Sequence, residues 1–178
     1  DESHLRALPE KLEKRIVFFG KWKRADNLDG LQWFFKNIYN RMNKDVRIFI
    51  IGKWLPESFL AEIGRYDNVD YLGFVENPYP LIANSVATIS PLFSGAGVKV
   101  KVVESLACGT PVIGTEIAFE GLPEKYSNMM LLATDVESYL DALKVDIPLE
   151  ERRKMKQDFI ADYTSETIPQ FLNKMLKK

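Results

Sequence analysis

Residues 91–113 read P-L-F-S-G-A-G-V-K-V-K-V-V-E-S-L-A-C-G-T-P-V-I. A loop carrying Ser94, Gly95 and Gly97 runs into a helical pattern from Val98 to Cys108. Gly109 follows, placed to take the left-handed conformation that ends a helix. A short β-branched run, Thr110 to Ile113, comes next and stops at Gly114. Upstream, Val86 to Ser90 is a second strand-like run, ended by Pro91. Strand, loop, helix and strand in this order form a parallel βαβ unit.

The same alternation extends in both directions. Strand-like runs at Arg15–Phe19, Val46–Ile51 and Val69–Leu72 stop at Gly20, Gly52 and Gly73, and Met129–Leu132 is a weaker sixth. They are short and β-branched or aromatic, as strands covered on both faces are. Leu28, Leu31, Phe35, Ile38 and Met42 recur at helical spacing, with Asn27 or Asp26 as the expected cap. Further helices are predicted at Pro56–Gly64, Pro80–Ala83, Asp135–Leu143, Leu149–Asp162 and Glu166–Lys177. The fold class expected is α/β, a Rossmann-like parallel sheet of about six strands with helices on both faces. Residues 1–14 read as an appendage or linker and residues 15–178 as one domain.

Composition excludes several functions. The 178 residues carry 24 Lys and Arg against 25 Asp and Glu, which argues against a nucleic-acid binder working by bulk charge. No apolar run approaches the roughly 20 residues that span a bilayer, and the first residues lack a signal-peptide pattern. The expected location is cytoplasmic. One Cys and one His make no zinc site, and no D-x-D motif offers another metal site. Cys108 reads as a small buried filler and His4 as tail.

In an open α/β sheet, ligands bind beyond the carboxyl ends of the strands. Three loops there stand out: Gly20-Lys21-Trp22, Gly73-Phe74-Val75, and the run from Pro91 to Lys101. Gly95 and Gly97 let backbone approach a ligand closely. Amide groups opening the next helix form an anion site. Lys99 and Lys101 in its first turn oppose the helix dipole at about 0.3–1 kcal/mol each. A phosphate or diphosphate in front of them removes that conflict. Glu104 follows Lys101 by one turn, where a carboxylate accepts hydrogen bonds from ribose hydroxyls. Each of these residues alone reads as solvated surface; together they point to a nucleoside diphosphate. Neither G-x-G-x-x-G nor G-x-x-x-x-G-K-[ST] occurs, so dinucleotide and P-loop readings lose their support.

From Gly97 to Ile113 the sequence resembles the donor-binding half of the group 1 glycosyltransferases, whose two-domain fold is called GT-B. Phe18-Phe19-Gly20 through Asn27-Leu28-Asp29-Gly30-Leu31, Leu72-Gly73-Phe74-Val75 and Glu120-Gly121-Leu122 extend the likeness from about Arg15 to Leu143. The resemblance implies that Gly97, Val98 and the helix behind them hold a diphosphate, with Ser94 and Gly95 in the same loop. It implies that Glu104 binds ribose, that Phe74 and Val75 lie near the base, and that Lys21 beside Gly20 neutralises the leaving diphosphate. The resemblance makes Lys101 first and Lys99 second the phosphate lysines. Ala96 stands where the common motif has a second glutamate, and Asn27 where it has a second basic residue. The implied reaction is metal-independent, retaining sugar transfer from a nucleoside-diphosphate sugar, UDP preferred, to a glycan or lipid-linked acceptor in polysaccharide biosynthesis. An acceptor-binding N-terminal domain is expected as a partner and is absent from this chain, which is then an inactive half. A sugar-nucleotide epimerase half and a degenerate nucleotide-binding module are the rival readings.

The remaining residues divide by environment. Trp22 and Trp54 read equally as cleft lining or core. Trp33, Phe34 and Phe35 read as core on a helix. Glu116 and Glu120 either face the sugar or sit on the surface. Arg152, Arg153, Lys154 and Lys156, balanced by Glu150 and Glu151, read as a solvated face, with peripheral membrane contact left open.

Overall fold

The computed structural model describes residues 11–162. Six parallel strands form one sheet in the order β3-β2-β1-β4-β5-β6. They are β1 (Glu13–Phe19), β2 (Arg47–Ile51), β3 (Val69–Gly73), β4 (Ser85–Ser90), β5 (Val112–Gly114) and β6 (Met130–Leu132). The strand order reverses between β1 and β4, which opens the crevice that such sheets use for ligands. All six predicted strands are present; β1 begins two residues before the predicted start.

The helices are α1 (Ala25–Asn37), α2 (Glu57–Ile63), α3 (Tyr79–Ala83), α4 (Val100–Ala107), α5 (Glu116–Phe119), α6 (Val136–Ala142) and α7 (Leu149–Asp162). One face of the sheet buries Ile16, Phe18, Ile48 and Ile50 against Leu31, Phe34 and Phe35 of α1, Phe59 of α2 and Tyr139 of α6. On the other face Val17 meets Ile82 and Cys108, while Val112 meets Val102, Leu106 and Phe159. The alternation of Ile16, Val17 and Phe18 between faces follows from the strand period of two. Trp33 is half-buried, edge-on to exposed Phe93 at 5.2 Å.

Several expectations are corrected. α1 starts two or three residues earlier than expected, with Arg24 at the cap position and no side-chain cap. The reason is local: Asp26 is taken by a two-pronged bond from Arg24 (3.1 and 2.8 Å), and the Asn27 amide donates to the Lys21 carbonyl. The long helical pattern to Met42 breaks at Ile38, and Tyr39–Arg41 is a 3₁₀ turn. α5 and a 3₁₀ segment at Glu124–Met129 have no counterpart in the sequence reading. The basic run on α7 is not a solvated face: Arg152 and Lys156 are buried with Phe159, and only Arg153 and Lys154 face solvent. Arg152 donates to the carbonyls of Ile147 (2.9 Å), Ser85 (3.0 Å) and Val86 (2.7 Å), fastening α7 to the start of β4. The helix predicted at Glu166–Lys177 lies outside the described residues. Among the described residues no helix is long and apolar enough to cross a membrane.

Candidate donor-binding site

The crevice is built by three strand ends and by α4, which contributes Glu104. At the ends of β1, β2 and β3 the loops are tied sideways: Gly20 N–H donates to the Ile51 carbonyl (3.1 Å), Trp22 N–H to that of Lys53 (3.1 Å), and Gly52 N–H to that of Gly73 (2.6 Å). A cleft of about 410 Å³ opens above them, lined by Phe19, Gly20, Lys21, Lys53, Trp54, Phe74, Val75 and Glu104 among others. The tripeptide Gly-Lys-Trp occurs at two neighbouring strand ends, 20–22 and 52–54, with opposite outcomes. Trp22 is buried in the core, whereas Trp54 is 58% exposed on the rim with φ of +69°. Lys53 sits over the Phe74 ring, 4.3 Å from its centre, and Phe74 is 65% exposed. The cleft thus pairs aromatic faces with cations.

α4 enters from the far side of the crevice. Lys99 holds its cap position and no side chain caps the helix, so its first amides point outward unpaired by any side chain. Gly95 and Gly97 in the preceding loop have φ of +112° and +75°. Ser105 anchors the helix to the sheet, donating to the Lys101 carbonyl (2.8 Å) and accepting from Thr88 (2.9 Å). α1 lies against the same loop, because Gly30 has no side chain: a Cβ there would stand 2.0 Å from the Pro91 carbonyl oxygen.

The charged groups sort by environment. The half-buried Lys101 ammonium donates to Asn27 Oδ1 at 2.7 Å. Burial pulls its pKa down to about 8; nearby Asp26 opposes that shift, and Arg24 and Lys99 reinforce it. Glu104 accepts from the Tyr79 hydroxyl (3.0 Å), and burial raises its carboxyl above the ordinary range. Lys99 bends away to the Gly97 carbonyl and to Glu120 (3.3 Å). Buried Cys108 has its thiol pushed up to about 12 by desolvation, which leaves it inert. No three His, Cys, Asp or Glu among the described residues cluster as a metal site.

A family model described as Glycosyl transferases group 1 matches residues 13–145. The chain belongs to the group 1 glycosyl transferases. A curated relative, an uncharacterized 44.6 kDa protein in the cps region of Klebsiella pneumoniae, is 24% identical over 131 residues, 67% of this chain and 34% of that protein. The chain therefore spans about a third of that relative's length. Among solved structures, a mutant of TarM from S. aureus, in complex with UDP among other ligands, superposes with a TM-score of 0.73 at 16% identity, over 98% of this chain and 38% of that one. HepE from Anabaena, in complex with UDP and glucose, gives 0.69 at 15% identity, over 93% and 48%. WaaG, a glycosyltransferase involved in lipopolysaccharide biosynthesis, gives 0.56 at 15%, over 89% and 45%. The fold is that of GT-B glycosyltransferases.

In this glycosyl transferase chain, Gly20, Lys21, Phe74, Val75 and Glu104 line one cleft. Lys101 joins them through Asn27, while Gly95, Gly97 and Val98 form the loop ahead of α4 and Ser94 is exposed beside them. Of the two lysines, Lys99 is pointed at Glu120. Sequence reading passed over Lys53 and Tyr79 and weighed Asn27 only as a cap and a lost cation. The repeated Gly-Lys-Trp was a readable signal for Lys53. Tyr79 has none, since its meeting with Glu104 needs the packing of α3 on α4.

Proposed function

We propose that this chain is the donor-binding half of a glycosyltransferase that takes a nucleoside-diphosphate sugar, UDP-linked by preference, and passes the sugar to a glycan or lipid-linked acceptor held by a second domain. The observation that carries the reading is a cleft lined by both Lys21 and Glu104, with Lys101 tied to the Lys21 segment through Asn27 and the uncapped start of α4 one turn before Glu104. Negative charge develops on the departing diphosphate, and preorganised donors aimed at that charge lower the barrier. Lys21, Lys101 and the α4 amides supply such donors from this chain. Glu104 accepts ribose hydroxyls with its carboxylate, steadied by Tyr79. Phe74 and Trp54 offer apolar faces to the base, which agrees with their exposure on the rim. The cations take over the charge-neutralising role that a metal plays elsewhere, and retention of configuration follows the family pattern. The exposed Trp54, Phe74 and Phe93 also suit a crevice that a second domain covers.

Titration calorimetry with UDP, GDP and ADP, each with and without Mg²⁺, tests the proposal. Metal-independent binding of one diphosphate, weakened at least about tenfold by Lys101→Ala, is the expected result. No binding to any of them moves the chain to an interaction module with a lost site.

A further inference from the structure

We propose that Asn27 is a positioning residue: it locks the Lys101 ammonium against the β1–α1 loop, so that Lys21 and Lys101 meet the diphosphate as a fixed pair. The inference deepens the diphosphate reading above and rests on it. The Asn27 side chain makes two bonds in opposite directions. Its Oδ1 accepts from Lys101 Nζ at 2.7 Å, and its Nδ2 donates to the Lys21 carbonyl at 3.1 Å. One planar amide therefore connects the two cationic segments, although Lys101 is 74 residues further along the chain. The amide also packs on the strand-end glycine: a Cβ on Gly20 would lie 3.1 Å from Asn27 Nδ2. The missing side chain of Gly20 thus leaves the Asn27 amide its place between β1 and α4.

The choice of an amide has a chemical reason. A lysine side chain is a flexible stem, and fixing it before the ligand arrives spares entropy at binding. An acceptor is needed to hold it, yet a carboxylate would neutralise the charge that the diphosphate requires. An amide oxygen orients the ammonium and leaves its charge in place. Asp26, the nearest carboxylate, is kept occupied by Arg24 through its two bonds of 3.1 and 2.8 Å. Lys99 is turned to Gly97 and Glu120 and does not compete for Asn27. The charged groups felt by Lys101 are Asp26, Arg24 and Lys99, so its titration reports on this corner.

The test uses the whole 178-residue chain and two readouts. The first is the Lys101 titration followed by carbon NMR of labelled lysine, without ligand. The second is UDP affinity by calorimetry at pH 7.5. Asn27→Ala is expected to move the Lys101 midpoint further down and to weaken UDP about tenfold, the size of one hydrogen bond to a charged group, whether or not the melting temperature also falls, with the chain still folded at the temperature of measurement. Asn27→Asp should move the midpoint up and still weaken UDP, because it cancels the charge. The exchanged pair Asn27→Lys with Lys101→Asn should recover most of the affinity that Lys101→Ala loses. Unchanged titration and affinity in Asn27→Ala, with only the melting temperature lowered, would reduce Asn27 to a structural residue of α1 and overturn the proposal. Wild-type chain that binds no UDP would sink the diphosphate reading and this one together; failure confined to the variants sinks this one alone.

Discussion

Under the proposed function Lys101 meets two opposed demands, since a cation for a diphosphate has to sit near the ligand and that place is partly dry. Burial lowers its pKa from 10.5 to about 8, so between about pH 8 and 10.5 the folded chain holds fewer protons than the unfolded one. In that window the stability of the free chain rises with pH. A bound diphosphate favours the charged form and pulls the pKa back up, so affinity falls as pH rises through about 8. Binding of UDP at pH 8.5 is therefore expected to take up part of a proton. Calorimetry in two buffers of different ionisation enthalpy reads this as a difference in apparent heat, and Lys101→Arg should abolish it, because arginine does not titrate there. The residue-scale features most legible in the sequence were Lys21 after a strand-end glycine and Lys101 with Glu104 one turn apart. Asn27 was hidden because its work lies in a contact 74 residues away.

At the scale of elements, α1 and α7 each depend on one residue. Gly30 lets α1 lie on the loop after β4, and an added Cβ would meet the Pro91 carbonyl oxygen at 2.0 Å. Gly30→Ala is expected to cost about 1–3 kcal/mol by overpacking, despite its better helix propensity, and to weaken UDP by moving the loop that carries Gly95 and Gly97. Urea unfolding and calorimetry on the same variant separate the two effects. Arg152 is buried, its pKa lowered to about 10 by desolvation, and it serves three carbonyls. Arg152→Ala should cost about 3 kcal/mol, since it leaves those oxygens unpaired around a cavity, while Lys154→Ala on the exposed face of α7 should change stability by less than about 0.5 kcal/mol. The sequence reading put both residues on one solvated face. A pattern was present that could have separated them: Arg152, Lys156 and Phe159 follow each other at helical spacing and are the buried residues of α7. Charge outweighed periodicity there. β1, β2, β3, β5 and α4 were legible because glycines mark their ends, and β4 because a proline does, whereas α5 and the 3₁₀ segments are too short to show a repeat.

For the whole molecule, the crevice is one wall of a site whose other wall lies on a second domain under the proposed function. The chain spans 34% of its curated relative and 38% of the TarM chain. Supplied with a UDP-sugar and candidate acceptors, the 178-residue chain by itself is expected to bind the donor and to transfer no sugar, and adding the second domain in trans should restore transfer; radiolabelled product formation measures both. The sheet order carries a further consequence, for the chain as it is being made. β1 lies between β2 and β4, so β1, β2 and β3 can pair as soon as Gly73 has emerged, but the opposite edge of β1 stays open until β4 follows. Synthesis adds about 5–20 residues per second, which leaves that edge bare for about a second in every copy. Its sequence there, Ile16-Val17-Phe18-Phe19, is a row of apolar residues with unpaired backbone groups, a template for a neighbouring nascent chain on the same message. Nascent chains side by side on one message thus have a window for pairing wrongly through β1, and a chaperone that covers that edge would act before residue 85 appears.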